Sequence, residues 1–154
     1  MCVYMMRLLE EERMSLEEEI DFLNHLANTL LLSIRIIRSS LEGRERDVGP
    51  LTLESLKEFL SNLKDVLRKC TITNAYYSDP GRYLAKIMEE ISKKRGKTLN
   101  EINDEWYYLI VETLSILEET KINRKEMQNL KERLEEKLLD IEKLYSEKRS
   151  RLSL

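Results

Sequence analysis

A chain of 154 residues with 42% hydrophobic and 36% charged residues, four Gly and two Pro is long enough for one unstapled core and excludes a disordered or sheet-rich chain. Its net charge of −3 excludes a global field that draws in nucleic acid, so an anionic partner must meet a local patch. Cys2 and Cys70 form neither a metal pattern nor a disulfide framework, and no run approaches the roughly 20 apolar residues of a membrane span.

The N-terminal MCVYMMRLLEEER turns acidic where a signal peptide needs a longer apolar core, which predicts a cytoplasmic chain without membrane contact. Apolar residues at Leu16, Ile20, Leu23, Ala27, Leu30, Ile34, Ile37 and Leu41 alternate steps of four and three, as one face of a helix requires. Leu26, Leu31, Leu32 and Ile36 widen the stripe to that of a central bundle helix. Ser15 and Glu18 have capping-box spacing, which predicts a start at Ser15. Residues 3–13 then add a short helix on Val3, Met6 and Leu9, or a frayed extension in which Met5, Met6 and Met14 are alternative starts.

Residues 42–51 lack apolar periodicity and hold two Gly and one Pro, the mark of an exposed loop. Thr52 is placed to cap a second helix, with Leu53, Leu56, Leu60, Leu63, Leu67 and Cys70 on its face and Phe59 and Val66 beside them. Thr71–Ser78 breaks the pattern. Asp79 and Pro80 supply a cap and a first-turn proline for a third helix to about Arg95, whose face is Leu84, Ile87, Met88 and Ile91. Gly96 is placed to end it, and Thr98 with Glu101 forms a capping box for a fourth helix to about Lys121. Its face is Ile102, Trp106, Leu109, Ile110, Thr113, Leu114 and Leu117. Asn123 and Glu126 open a fifth helix to near Lys148, with Met127, Leu130, Leu134, Leu138, Ile141 and Tyr145 on one side. The prediction is all-α: a compact bundle of about five helices in one domain, 1–154, with 122–154 a C-terminal helix and tail free to protrude.

Chemistry-bearing patterns are sparse. His25 is the only imidazole, and a catalytic role needs partners that its neighbours do not supply. Glu10–Glu12 and Glu17–Glu19 point round a helix and do not converge. There is no phosphate-cradling Gly motif and no Glu-x-x-His pair. These absences predict a non-enzyme with no cofactor and no metal. Charge is uneven: residues 1–34 carry two cations against seven anions, 35–97 fourteen against nine, and 98–154 ten against thirteen. In the basic middle third, Arg35, Arg38, Lys64, Arg68, Lys69, Arg82, Lys86, Lys93, Lys94, Arg95 and Lys97 can neutralise phosphates, and Tyr76, Tyr77 and Tyr83 can stack on bases. The alternative is that Lys93–Lys97 favour a helix C-terminus while the tyrosines fill the core. High Lys, Arg, Glu, Ile and Leu beside a single Gln also suit a thermophile.

Leu51-Thr52, followed by Leu56, Lys57 and Phe59, resembles the helix opening of the small helical subunit of Csm-type, type III CRISPR effector complexes, although Leu53 replaces a polar residue and Ser55 a Gln. Ala75-Tyr76 before Arg82, and Trp106 before Val111-Glu112-Thr113, are similar to later motifs of that family, in its order. The resemblance spans roughly Leu16 to Leu117. The family's aromatic and His-Lys ending is absent, and the helix from Asn123 has no counterpart. What the resemblance implies is a non-catalytic RNA-binding subunit, stacked in copies beside other subunits along single-stranded or guide-paired RNA. It adds Lys57 to the candidate residues and sets it with Arg82 on the RNA backbone. The competing expectation is a helical adaptor or oligomerisation protein whose Asn123–Tyr145 face takes a partner helix or a second copy.

Overall fold

Two glycines set the sharpest helix ends. Gly43 (φ 71°) follows a helix whose Ser39 and Ser40 carbonyls accept from the N–H groups of Arg44 and Gly43, at 2.9 and 3.2 Å. This paired closure needs a left-handed residue, which glycine adopts without a Cβ clash. Gly96 (φ 65°) ends its helix with the wider-spanning of these two bonds, Lys97 N–H on the Ser92 carbonyl at 3.1 Å. In a computed structural model the backbone is described for residues 3–44, 48–69, 79–118 and 123–152, and side chains for 15–44, 48–68, 83–118 and 123–152. It forms five helices, α1 (Val3–Leu41), α2 (Pro50–Lys69), α3 (Asp79–Arg95), α4 (Leu99–Glu118) and α5 (Arg124–Leu152), and no strand among the described residues. The all-α prediction of about five helices holds.

Helix starts are where the expectations shift. No helix begins at Ser15: α1 runs through it from Val3 as one element, because Leu, Met, Arg and Glu upstream continue a helix without a breaker. Glu18, expected to close a capping box, instead accepts from the Tyr83 hydroxyl of α3. The second helix starts two residues before Thr52. Gly49 offers its carbonyl to Leu53 N–H at 3.0 Å and Pro50 takes the first position, where its missing N–H costs nothing. Thr98 and Asn123 do cap: Glu101 N–H donates to Thr98 Oγ1 at 3.2 Å and Lys125 N–H to Asn123 Oδ1 at 2.8 Å. The Thr71–Ser78 stretch and the Asp79 cap side chain lie outside the described residues.

Helices α1 and α5 are the main pair. Glu19 meets Lys148, which leaves α5 only one more turn, so the long stripe of α1 is covered only if α5 runs antiparallel to it. At that register Leu23, Leu26 and Ile37 lie level with Leu144, Ile141 and Leu130, all of them buried in one cluster. The Met127–Ile141 seam of α5 is therefore core and unavailable to a partner, a correction to the adaptor expectation. Its physical reason is the width of α1. By length and composition Ser15–Leu41 is apolar enough to cross a membrane, contrary to the expectation from apolar run length. In this fold its stripe is buried against α5 and its neighbours.

On the other side, α4 packs on α2 and α3. Trp106 is fully buried at the centre. Phe59 of α2 contacts Phe22 and His25 of α1, with ring centroids 6.4 and 4.2 Å apart, and Phe22 reaches Tyr83 of α3 at 6.2 Å. Tyr83 is thus a core ring with its hydroxyl satisfied, as the core alternative for the tyrosines expected; Tyr76 and Tyr77 lie outside the described residues.

Candidate interaction surfaces

Among the described residues, the basic side chains of the middle third fall in separate places, with Lys57 and Lys64 on one groove and Lys93 and Lys94 on one cleft. Lys94 pairs with Glu147, and Arg95 grips Asp140 through two nitrogens at 2.7 and 3.2 Å, with Glu136 at 3.7 Å. Lys97 donates to Glu105 at 2.7 Å. These acids come from α4 and α5, so the charge run at the end of α3 is largely neutralised by the helices beside it. The pairing shifts proton affinities. The Asp140 hydrogen bond and charge hold Arg95 above the ordinary guanidinium value, and the Glu105 hydrogen bond raises Lys97. Partial burial pushes Glu105 up, but the hydrogen bonds and charges of Lys97 and Lys137 together outweigh it and hold the carboxylate low. Lys86 points to Glu19 at 3.0 Å. Lys57 lies 4.0 Å from Glu54. Arg35 and Arg68 are exposed and engaged in interactions of their own. Arg38, Lys64 and Lys93 form no ion pair among the described residues, and the side chains of Lys69 and Arg82 lie outside them.

A second charge group was not visible in the sequence. Lys148 is 3% exposed and meets Glu19, 1% exposed, as an ion pair without hydrogen-bond angles; it also donates to Glu90 at 2.7 Å. Lys86 closes the set from the rim. Three helices are tied at one point. Beside it opens a cleft of 270 Å³ lined by Glu90, Lys93, Lys94, Glu147, Lys148 and Arg151.

Two wide openings flank α4. A groove of 850 Å³ runs between α2, from Glu54 to Lys64, and α4, where Tyr107, Val111, Leu114, Ser115 and Glu118 line it. On the other flank, 610 Å³ lies between the end of α4 and the start of α5, lined in part by Val111, Ser115, Ile116 and Leu130. Val111 and Ser115 belong to both. Helix α4 is therefore a crest between two grooves, with Tyr108 on it at 61% exposure and stacked edgewise on Tyr107. Arg133 holds one wall by pairing with Glu112. This surface was missed because its apolar atoms belong to half-buried residues that read as core flank. The signal available was compositional: α4 contains five carboxylates and no Lys or Arg.

His25 is exposed with its ring against Phe59, and among the described residues no three His, Cys, Asp or Glu side chains gather as a metal site. No family model, curated protein or solved structure matches the chain.

Proposed function

We propose that this chain is a non-catalytic subunit of a multi-component assembly, joined to a protein partner through the outer face of α4. The observation that carries the reading is the crest itself: Val111 and Ser115 stand between two grooves that also hold Leu114, Ile116 and Leu130, and Tyr108 is exposed about one turn before them on the same helix. An exposed aromatic beside recesses that pair a few apolar side chains with charged walls is the composition of a protein interface. Co-purification from the native host tests it. Tyr108→Ala with Ser115→Arg alters two exposed side chains, so helicity by circular dichroism should be unchanged while the partner is lost. Retention of every partner by that double variant rejects the reading. Deletion of α5 is not a usable test, because it removes half of the main helix pair.

A second reading is the RNA-contacting subunit implied by the resemblance to Csm-type small subunits. The cleft between the ends of α3 and α5 favours it: Lys93 and Arg151 line the opening without an ion pair among the described residues, over the buried Lys148. Binding of single-stranded RNA should weaken steeply with salt, and Lys93→Glu with Arg151→Glu should reduce that slope by about 1.4, near 0.7 per lost phosphate contact. Absence of RNA binding at low salt, alone and in the co-purified complex, rejects this reading.

A further inference from the structure

We infer that the partner element seated on α4 is a basic amphipathic helix. The inference rests on the assembly reading above and adds the chemistry of the occupant. Along the crest, Glu101, Asp104, Tyr108, Glu112, Ser115 and Glu118 are exposed at three- and four-residue steps, one continuous outward stripe. Of its carboxylates, Glu112 is taken by Arg133. Asp104 and Glu118 form no ion pair among the described residues. The walls are closer to balance, with Lys57 and Lys64 beside Glu54 and Glu58 on the α2 side and Lys125 beside Glu126 on the α5 side. The excess charge is therefore on the crest and negative.

That sign decides between occupants. A second copy docked crest to crest about a twofold axis would bring α4 onto α4, which has no cation to offer, so Asp104 would face Asp104 or Glu118 of the other chain. Like charges across an interface disfavour that arrangement. Nucleic acid is repelled by the same carboxylates. A helix with an apolar row satisfies the grooves around Val111, and cations beside that row meet Asp104 and Glu118. These two lie fourteen residues apart, about 21 Å along the axis, so the partner helix needs about four turns.

The probes are two synthetic helical peptides of that length with the same leucine row, one carrying lysines and the other glutamates. They are titrated by calorimetry at physiological salt against the wild-type chain and two variants. The lysine peptide should bind wild type about tenfold more tightly than the glutamate peptide. Asp104→Lys with Glu118→Lys should invert the preference. Glu132→Lys with Glu142→Lys, exposed on α5 and lining neither groove, should leave it intact. No preference in wild type, no inversion in the crest variant, or equal weakening by the α5 variant overturns the inference. If neither peptide binds yet Tyr108→Ala with Ser115→Arg still strips the native partner, only the basic-helix occupant falls. If that variant keeps its partner, the assembly reading falls with it.

Discussion

Lys148 of α5 and Glu19 of α1 form an ion pair in which both side chains are almost closed to solvent, and Glu90 of α3 completes the lysine's coordination at 2.7 Å. Each charge would be costly alone in that setting, and the mutual attraction offsets a desolvation that the packing of α1, α3 and α5 imposes. Removing one member should therefore hurt more than removing both. Lys148→Met is expected to destabilise the chain by about 3 kcal/mol, because Glu19 is left buried with only Lys86 at its rim. Glu19→Leu combined with Lys148→Met should recover most of that loss. Urea unfolding of the two variants checks the order, and a double variant weaker than Lys148→Met would contradict it.

The helices and most of their buried faces were legible because periodicity survives in a single sequence: Leu23, Leu30, Ile34 and Ile37 are buried as their spacing required. Caps were legible only where the local pattern had no competitor. Thr98 and Asn123 followed breaks and did cap, whereas Ser15 carried the same signature inside an unbroken run of helix formers and did not. Tertiary pairing was not legible. Lys94, Arg95 and Lys97 looked like a patch because their partners, Glu147, Asp140 and Glu105, are between 8 and 53 residues away. Glu19 has the same local sequence setting as Glu17 and Glu18, yet of the three only it meets Lys148. The crest on α4 exists through the spacing of α2 and α5 beside it, which no local pattern encodes.

The two glycine closures give a matched pair of backbone tests. Gly43 and Gly96 both have positive φ, and a Cβ at either would meet nothing within 4 Å. Substitution by Ala should therefore report the left-handed conformation alone, at about 1 kcal/mol each. Asn should cost less, since it tolerates that region better. Denaturant midpoints of the Ala and Asn variants at each site supply the measurement, and an Ala variant equal in stability to wild type would remove the assigned backbone role.

Glu105 should govern part of the pH dependence. Lys97 and Lys137 hold its carboxylate below the ordinary value despite partial burial. The folded state therefore binds the proton less readily than the unfolded chain, and the resulting stability is present above the unfolded value of about 4.3 and lost as pH falls through the folded one. Lys97 works oppositely. Its raised value gives stability that is present below about 10.4 and lost as pH rises through the folded value. Glu105→Gln should flatten both limbs of a melting-temperature profile, with a small effect near neutrality of about 2 °C because the pair is partly solvent-screened. An unchanged acid limb would contradict the assignment.

Asn103 and Trp106 share the buried face of α4, three residues apart, and neither Asn103 Oδ1 nor Trp106 Nε1 finds a hydrogen-bond partner among the described residues. A buried polar atom without a partner carries its desolvation cost uncompensated, so an apolar side chain of the same shape should be tolerated or better. Asn103→Leu has that shape and also raises helix propensity; it should stabilise the chain by up to about 1 kcal/mol. Trp106→Phe removes an orphan donor but also indole volume from a fully buried site, and the lost packing should dominate at about 2 kcal/mol of destabilisation. Trp106 is the single tryptophan, so in the Asn103→Leu variant its blue-shifted emission and low acrylamide quenching should match wild type while the urea midpoint rises. A fall in that midpoint would show that the amide has a polar role in the core.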